Sequence, residues 1–252
     1  MPNHVTNKIK LIGDQARIDA LLDAVKYDDG ERGTLDFNKL IPMPSQLNMT
    51  AGSEEMHSIN AFLSAANPEN EAFPCDQKMS REDFAGLLQR MNGARMFGQY
   101  DVTLSSNDVQ EKYLKYSDNS VADYVEMGAK YVSNFIKYGT TSWYSWSIMA
   151  WGTKWNSYDS EPLSDNTLTF QTAWSRVTPI VSKLAELYPD IDIEYQWADE
   201  DIGNNVGRAD FSGGELVEEY FPEPQSKEAF ELAAEIMDVE LSSHDSMKKN
   251  RA

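Results

Sequence analysis

Residues 167–197 read TLTFQTAWSRVTPIVSKLAELYPDIDIEYQW, and this stretch decides the fold. Thr167 to Ala173 alternates β-branched or aromatic residues with polar ones, the period of a half-buried strand. Val177 to Tyr188 follows a helical period, with Pro179 tolerated in the first turn, where its missing N–H would have no partner. Ile191 to Trp197 alternates again. Strand, helix and strand thus follow one another within 31 residues.

Working outward, the flanks carry the same grammar. On the C-terminal side a Gly-Asn-Asn turn precedes Gly207 to Phe211 and Glu215 to Tyr220, which Gly213 and Gly214 join as a hairpin. Pro222 and Pro224 close the sheet. Ser226 caps a helix expected to run to about Leu241, before a polar, frayed tail. At the other end His4 to Leu11 alternates Val5, Asn7, Ile9 and Leu11 against Thr6, Lys8 and Lys10. Asp14 caps a helix whose Ile18, Leu21, Leu22 and Val25 fall at i, i+3, i+4, i+7. Leu35 to Ser45 (LDFNKLIPMPS) reads as strand running into loop, because its two prolines favour extended backbone before each of them.

Between Thr50 and Thr140 the period turns helical, with segments near Glu54 to Ala66, Ser80 to Arg90, Ser106 to Tyr116 and Val121 to Lys137. Ser80-Arg81-Glu82-Asp83 gives a cap followed by acidic first-turn residues, and Tyr124, Met127, Tyr131 and Phe135 form one apolar stripe. The expected organisation is a discontinuous core over 1–50 and 141–225, a helical insertion over 51–140, and an acidic helix with its tail over 226–252.

The run LDFNKLIPMP, then Trp151 to Asn156 (WGTKWN), FQTAWS over 170–175 and IEYQWADED over 193–201 together resemble the YubB ferredoxin-like family of bacteriophage and conjugative-plasmid proteins. The resemblance covers the N-terminal strand-helix-loop unit and roughly Trp151 to Glu219. It implies a ferredoxin-like α+β core, with an antiparallel sheet, and a mobile-element origin. It brings no catalytic residues with it.

Composition excludes several classes of chemistry. The single cysteine, Cys75, rules out an internal disulfide and a cysteine-built zinc site, and suits a reducing cytoplasm. The first residues lack the charged patch and apolar run of an export signal. The three histidines, His4, His57 and His244, are far apart and have no partner spaced for metal or nucleophile activation. Gly203 to Gly207 precedes a strand rather than a helix, so it is a turn and not a phosphate loop. Asp199, Glu200 and Asp201 fail the spacing of a calcium loop. No cofactor or metal is implied. Trp143 to Trp155 holds four tryptophans and a tyrosine but only Lys154 as a cation, which points to core or interface packing rather than base stacking.

Charge is the one anomaly. The chain carries 22 Lys and Arg against 41 Asp and Glu, a net charge of −19, which disfavours direct nucleic-acid and membrane binding. Glu186 to Glu240 alone holds 17 acids and two bases, Arg208 and Lys227. Solubility is one reading of such a surface. The sharper one is a recognition array of Glu215, Glu218, Glu219 and Glu223 from the hairpin, with Glu228, Glu231, Glu235 and Asp238 from the last helix. On that reading the protein is a non-enzymatic inhibitor of a host defence complex of CRISPR or restriction type. It would engage a host protein with a basic surface, by nucleic-acid mimicry. The alternatives are an enzyme or small-molecule binder with a pocket between sheet and insert, and a structural, oligomeric component.

Overall fold

The computed structural model describes residues 3–75, 78–94, 100–115 and 117–240. In chain order the elements are β1 (His4–Ile12), α1 (Gln15–Val25), α2 (Phe37–Leu40), α3 (Ser53–Ala66), α4 (Arg81–Gly93), α5 (Ser106–Tyr113), α6 (Val121–Tyr138), α7 (Trp143–Trp151), β2 (Thr167–Ala173), α8 (Thr178–Leu187), β3 (Asp192–Asp199), β4 (Gly207–Ser212), β5 (Glu215–Tyr220) and α9 (Lys227–Met237). They form two compact units, residues 1–43 with 147–252, and residues 44–146.

The first unit is a five-stranded sheet in the order β2-β1-β3-β4-β5, every neighbouring pair antiparallel. This is the expected α+β, ferredoxin-like architecture. Register places Val5, Asn7, Ile9 and Leu11 of β1 on one face with Phe170 and Leu168 of β2 and with Ile193, Tyr195 and Trp197 of β3. These side chains are buried, as are the stripes of α1 (Ile18, Leu21, Leu22, Val25) and α8 (Ile180, Val181, Leu184, Ala185). Each fully buried aliphatic side chain contributes about 1.5–3 kcal/mol, so this face supplies most of the unit's stability.

One member of the apolar face is polar. Asn7 donates to Val5 O and to Thr172 Oγ1, both at 2.8 Å, and accepts from Tyr195 Oη at 2.7 Å. The same Tyr195 oxygen accepts from Val177 N at 2.9 Å, which fixes the start of α8 over the sheet. Burial pushes the Tyr195 phenol up from its ordinary pKa.

The stretch Leu35 to Ser45 departs from the expected strand-to-loop. Asp36 accepts from Asn38 N at 2.9 Å, and this cap starts the one-turn helix α2, which ends before Pro42. The segment then clasps the WGTKWN run. Asn156 donates to Asp36 Oδ1 at 2.6 Å and accepts from Phe37 N at 2.8 Å, while Ser157 Oγ donates to Leu35 O at 2.5 Å. Trp151 Nε1 donates to Ile41 O at 2.9 Å, and its ring meets the Phe37 ring edge-on at 5.7 Å. The two motifs thus touch within one unit.

The C-terminal helix differs from the expected separation at residue 226. Ser226 caps α9 as anticipated, but Ala229, Ala233 and Ile236 pack with Ala198 and Val206, so the helix lies on the sheet. It ends at Met237, where Asp238 turns left-handed. The expected tail, and His244 in it, lie outside the described residues.

The second unit is helical, as the period predicts. Ser80, Ser105 and Ser120 cap α4, α5 and α6, each accepting from the amide three residues on. Ile59 and Leu63 of α3 pack with Phe84, Leu87 and Met91 of α4 and with Tyr131 and Phe135 of α6. A Cβ on Gly128 of α6 would stand 2.0 Å from Ser58 O, so glycine is what lets α6 lie against α3. Glu55, in the first turn of α3, is buried, which raises its pKa, and its Oε2 accepts from Gly52 N at 3.2 Å.

Candidate functional site

The second face of the sheet is polar and sorted by charge. Lys8 and Lys10 stand on β1, and the cross-strand rows lead from them toward the β5 edge. One row runs Lys10, Glu194, Asp210, Glu218 on β1, β3, β4 and β5; its neighbour runs Lys8, Gln196, Arg208, Tyr220. Lys8 is held by Asp238 at 2.7 Å and Lys10 by Asp165 at 3.4 Å, beside a cavity of about 430 Å³ that Thr167, Thr169 and Gln196 also line. The basic end of the face is therefore internally neutralised. Toward β5 the carboxylates prevail: Glu194 stands directly opposite Lys10 and lines the same cavity, while Asp210 and Glu218, with Arg208 in the next row, form no ion pair among the described residues.

This three-carboxylate ladder works against stability. Residues directly opposite in an antiparallel pair have Cβ atoms about 5 Å apart, and like charges there are repulsive. Glu194 and Asp210 were not among the array expected from sequence. Their alternation within IDIEYQW and GRADFS put them on the polar face, but only the strand register sets them beside Glu218.

The eight expected carboxylates fall on two supports. Glu215, Glu218 and Glu219 lie on β5, every residue of which is exposed, and Glu223 follows it, also exposed. Glu228, Glu231 and Glu235 lie on the exposed side of α9, opposite the buried Phe230 and Ala233, with Asp238 at its end. Ala198 and Lys8, which α9 touches, belong to the polar face, so helix and ladder share that face. The main contacts of α9 are with β3, β1 and β4. Three of the eight meet a base: Glu219 meets Arg176 at 3.6 Å, Glu231 meets Lys227 at 3.2 Å, and Asp238 meets Lys8. Arg176 is itself held over the Trp197 and Phe221 rings at 4.7 and 4.5 Å, which makes Glu219 part of a packed cluster. Glu215, Glu218, Glu223, Glu228 and Glu235 make no ion pair among the described residues.

The two edges of the sheet differ. Outside β2 the chain returns along the strand: Tyr158 and Gln171 exchange backbone hydrogen bonds at 3.1 and 2.8 Å, and Glu161 N donates to Thr169 O at 2.9 Å. Outside β5 no strand pairs among the described residues. The β4–β5 register slips between Asp210 and Phe211, leaving Val217 as the extra residue of a bulge, 62% exposed. Leu216, Tyr220 and Phe221 are 47%, 40% and 47% exposed.

The remaining candidates take ordinary positions. His4 is 2.8 Å from Tyr158 Oη, and His57 stacks on Tyr113 at 4.0 Å, its pKa lowered by burial. Asp199 is buried, accepting from Asn3, Asn205 and Asp201 N. Gly203 turns at φ 90° beneath the Phe230 ring. Of the tryptophan-rich run, Trp146 and Trp151 are buried, while Trp155 is part-exposed with Lys154 over its ring. Cys75 is half-buried at a cavity of about 700 Å³ in the helical unit, lined chiefly by apolar side chains including Phe62, Phe73 and Val125. Among the described residues no helix is long and apolar enough to cross a membrane.

A five-stranded antiparallel sheet with helices defines this unit as a ferredoxin-like α+β domain. Residues 150–240 match a family model described as the ferredoxin-like domain in Api92-like protein. Among solved structures, the crystal structure of a protein api92 from Yersinia pseudotuberculosis is similar over 89% of this chain and 100% of that chain, at 11% identity and a TM-score of 0.38. No curated protein matches the chain.

Proposed function

We propose that the protein is an acidic recognition module that binds a basic surface of a host protein, and that it acts without chemistry of its own. The observation that carries this reading is the carboxylate ladder Glu194, Asp210 and Glu218, in which only Glu194 faces a lysine across the strands, continuous with the exposed acids of β5. Lys10 stands opposite Glu194 only, so toward β5 the fold keeps Asp210 and Glu218 opposed with no ion pair among the described residues and gives up stability locally, and attraction to a cationic partner is what such an arrangement supplies in return. With a chain charge of −19, the encounter is steered electrostatically and weakens as salt rises. The mobile-element resemblance supports a host-directed role, with inhibition of a nucleic-acid-dependent defence complex as its specific form. Carboxylates standing in for phosphates would then occupy a groove evolved for nucleic acid.

The test is capture from host lysate at low salt, with the wild type and the triple variant Glu194→Lys, Asp210→Lys, Glu218→Lys side by side. The reading expects a basic protein retained by the wild type and lost from the variant. Equal capture by both, or capture of nothing basic, refutes it.

A second reading, a small-molecule binder, rests on the cavity of about 700 Å³ in the helical unit, which is within the size range of ligand sites. An apolar fluorescent probe should then bind with unit stoichiometry and be displaced by Ala122→Phe, which fills the lining; weak, non-saturating uptake counts against it.

A further inference from the structure

The polar face explains attraction but not the apolar residues beside it. The edge strand β5 carries Glu215, Glu218 and Glu219 together with Leu216, Val217 and Tyr220, and Phe221 follows. An edge that merely guards against aggregation uses charge, brevity and bulges to repel another strand. Charge and a bulge are present here. Yet the bulge turns Val217 outward, and four neighbouring large apolar side chains stand 40–62% exposed where a guarded edge has no use for them. The same sheet seals its opposite edge with the backbone of Tyr158 to Ser164.

From this contrast we propose that β5 is a docking edge: it takes an extended segment of a partner protein as a sixth strand, in which basic and apolar residues alternate. The backbone of β5 supplies hydrogen bonds along the strand. The alternation follows from the period of two: side chains of an added strand fall alternately on the two faces of the sheet. On the polar face they meet the row ending in Glu218, and on the other they meet Leu216 and the Phe221 ring. Lysine or arginine at every second position matches the first set, and aliphatic residues match the second.

A second copy of this chain fits the edge poorly. Two β5 strands paired antiparallel would crowd Glu215 and Glu218 of each copy, which make no ion pair among the described residues, near the same carboxylates of the other. The proposal rests on the acidic-module reading above and narrows it from a charged surface to backbone pairing at one strand.

The experiment separates the two. The probe is an acetylated, amidated peptide of four Lys-Val repeats, titrated calorimetrically into the full-length protein at low salt. It is compared with a peptide of identical sequence and charge whose alternate residues are N-methylated, so that one edge cannot hydrogen-bond. Strand addition expects saturable binding of the first peptide and at least a tenfold weaker constant for the second. Glu215→Lys with Glu218→Lys should weaken the first peptide by a similar factor while leaving the thermal melt cooperative. Equal binding of both peptides overturns strand addition while leaving charge recruitment standing. Binding of neither overturns strand addition outright. Sedimentation showing a wild-type dimer that the peptide dissociates would assign the edge to a second copy, and also overturns it. Failure of the lysate capture described above, by contrast, removes the acidic-module reading itself.

Discussion

The two edges of one sheet have been treated in opposite ways. At β2 the chain passes back alongside the strand and satisfies its outer backbone groups with Tyr158 and Glu161. At β5 no strand follows, the register slips at Val217, and charged and apolar residues are exposed together. Both edges belong to the same unit and share a core, so stability alone does not demand the difference. What it teaches is that protection here is local and was supplied at one end only. The unprotected end is also the end toward which the unneutralised carboxylates of the polar face lie.

The contrast can be broken from either side. The largest effect is expected at Gly207, where a Cβ would stand 2.4 Å from the Trp197 ring and 2.7 Å from Tyr220 O of β5. Gly207→Ala should cost about 3 kcal/mol, the upper end for overpacking a tight core, read as a shift in denaturant midpoint. It should also abolish binding at the β5 edge, because neither obstacle is a flexible side-chain end. A smaller effect is expected at the sealed edge. Glu161→Pro removes the amide that donates to Thr169 O, and should cost about 1 kcal/mol. Hydrogen exchange should then quicken at the β2 border and leave β5 unchanged.

The smallest effect reverses sign. Glu218→Lys relieves repulsion with Asp210 and should stabilise the fold by a few tenths of a kcal/mol, up to about 1. The gain should shrink in high salt, since this pair is partly exposed. The same substitution should weaken capture of a basic partner. A variant that is more stable yet binds less would show that the ladder is kept at the expense of stability; a variant that is less stable would mean that Glu218 has a structural partner.

Much of this sheet is legible in the sequence, and the parts that are not share a cause. TLTFQTA, the Pro179 helix and IDIEYQW announce their elements because alternation and helical period extend over seven residues or more. Leu35 to Ser45 misleads because α2 is a single turn started by Asp36: four residues are too few to show a period, and the prolines that suggest extension lie just beyond it. Asn7 looks like an interruption of an apolar face until Tyr195, diagonal to it on β3, is brought within hydrogen-bond reach. The ladder of Glu194 and Asp210 needs the strand register, which no local pattern encodes. The seal over β2 is built from backbone groups of Tyr158 and Glu161 and so leaves no side-chain signature at all. The acids of β5 and α9 were visible as a charge excess, but their division between a strand edge and a helix, and the pairing of Glu219, Glu231 and Asp238 with bases, required coordinates.

Amide hydrogen exchange, resolved strand by strand, tests the asymmetry most directly. In the free protein the outward amides covered at the β2 edge should be protected and those of Glu215 to Tyr220 should exchange rapidly, becoming protected only when the Lys-Val peptide is added. Slow exchange along β5 in the free protein, or rapid exchange that the peptide does not change, would contradict the account.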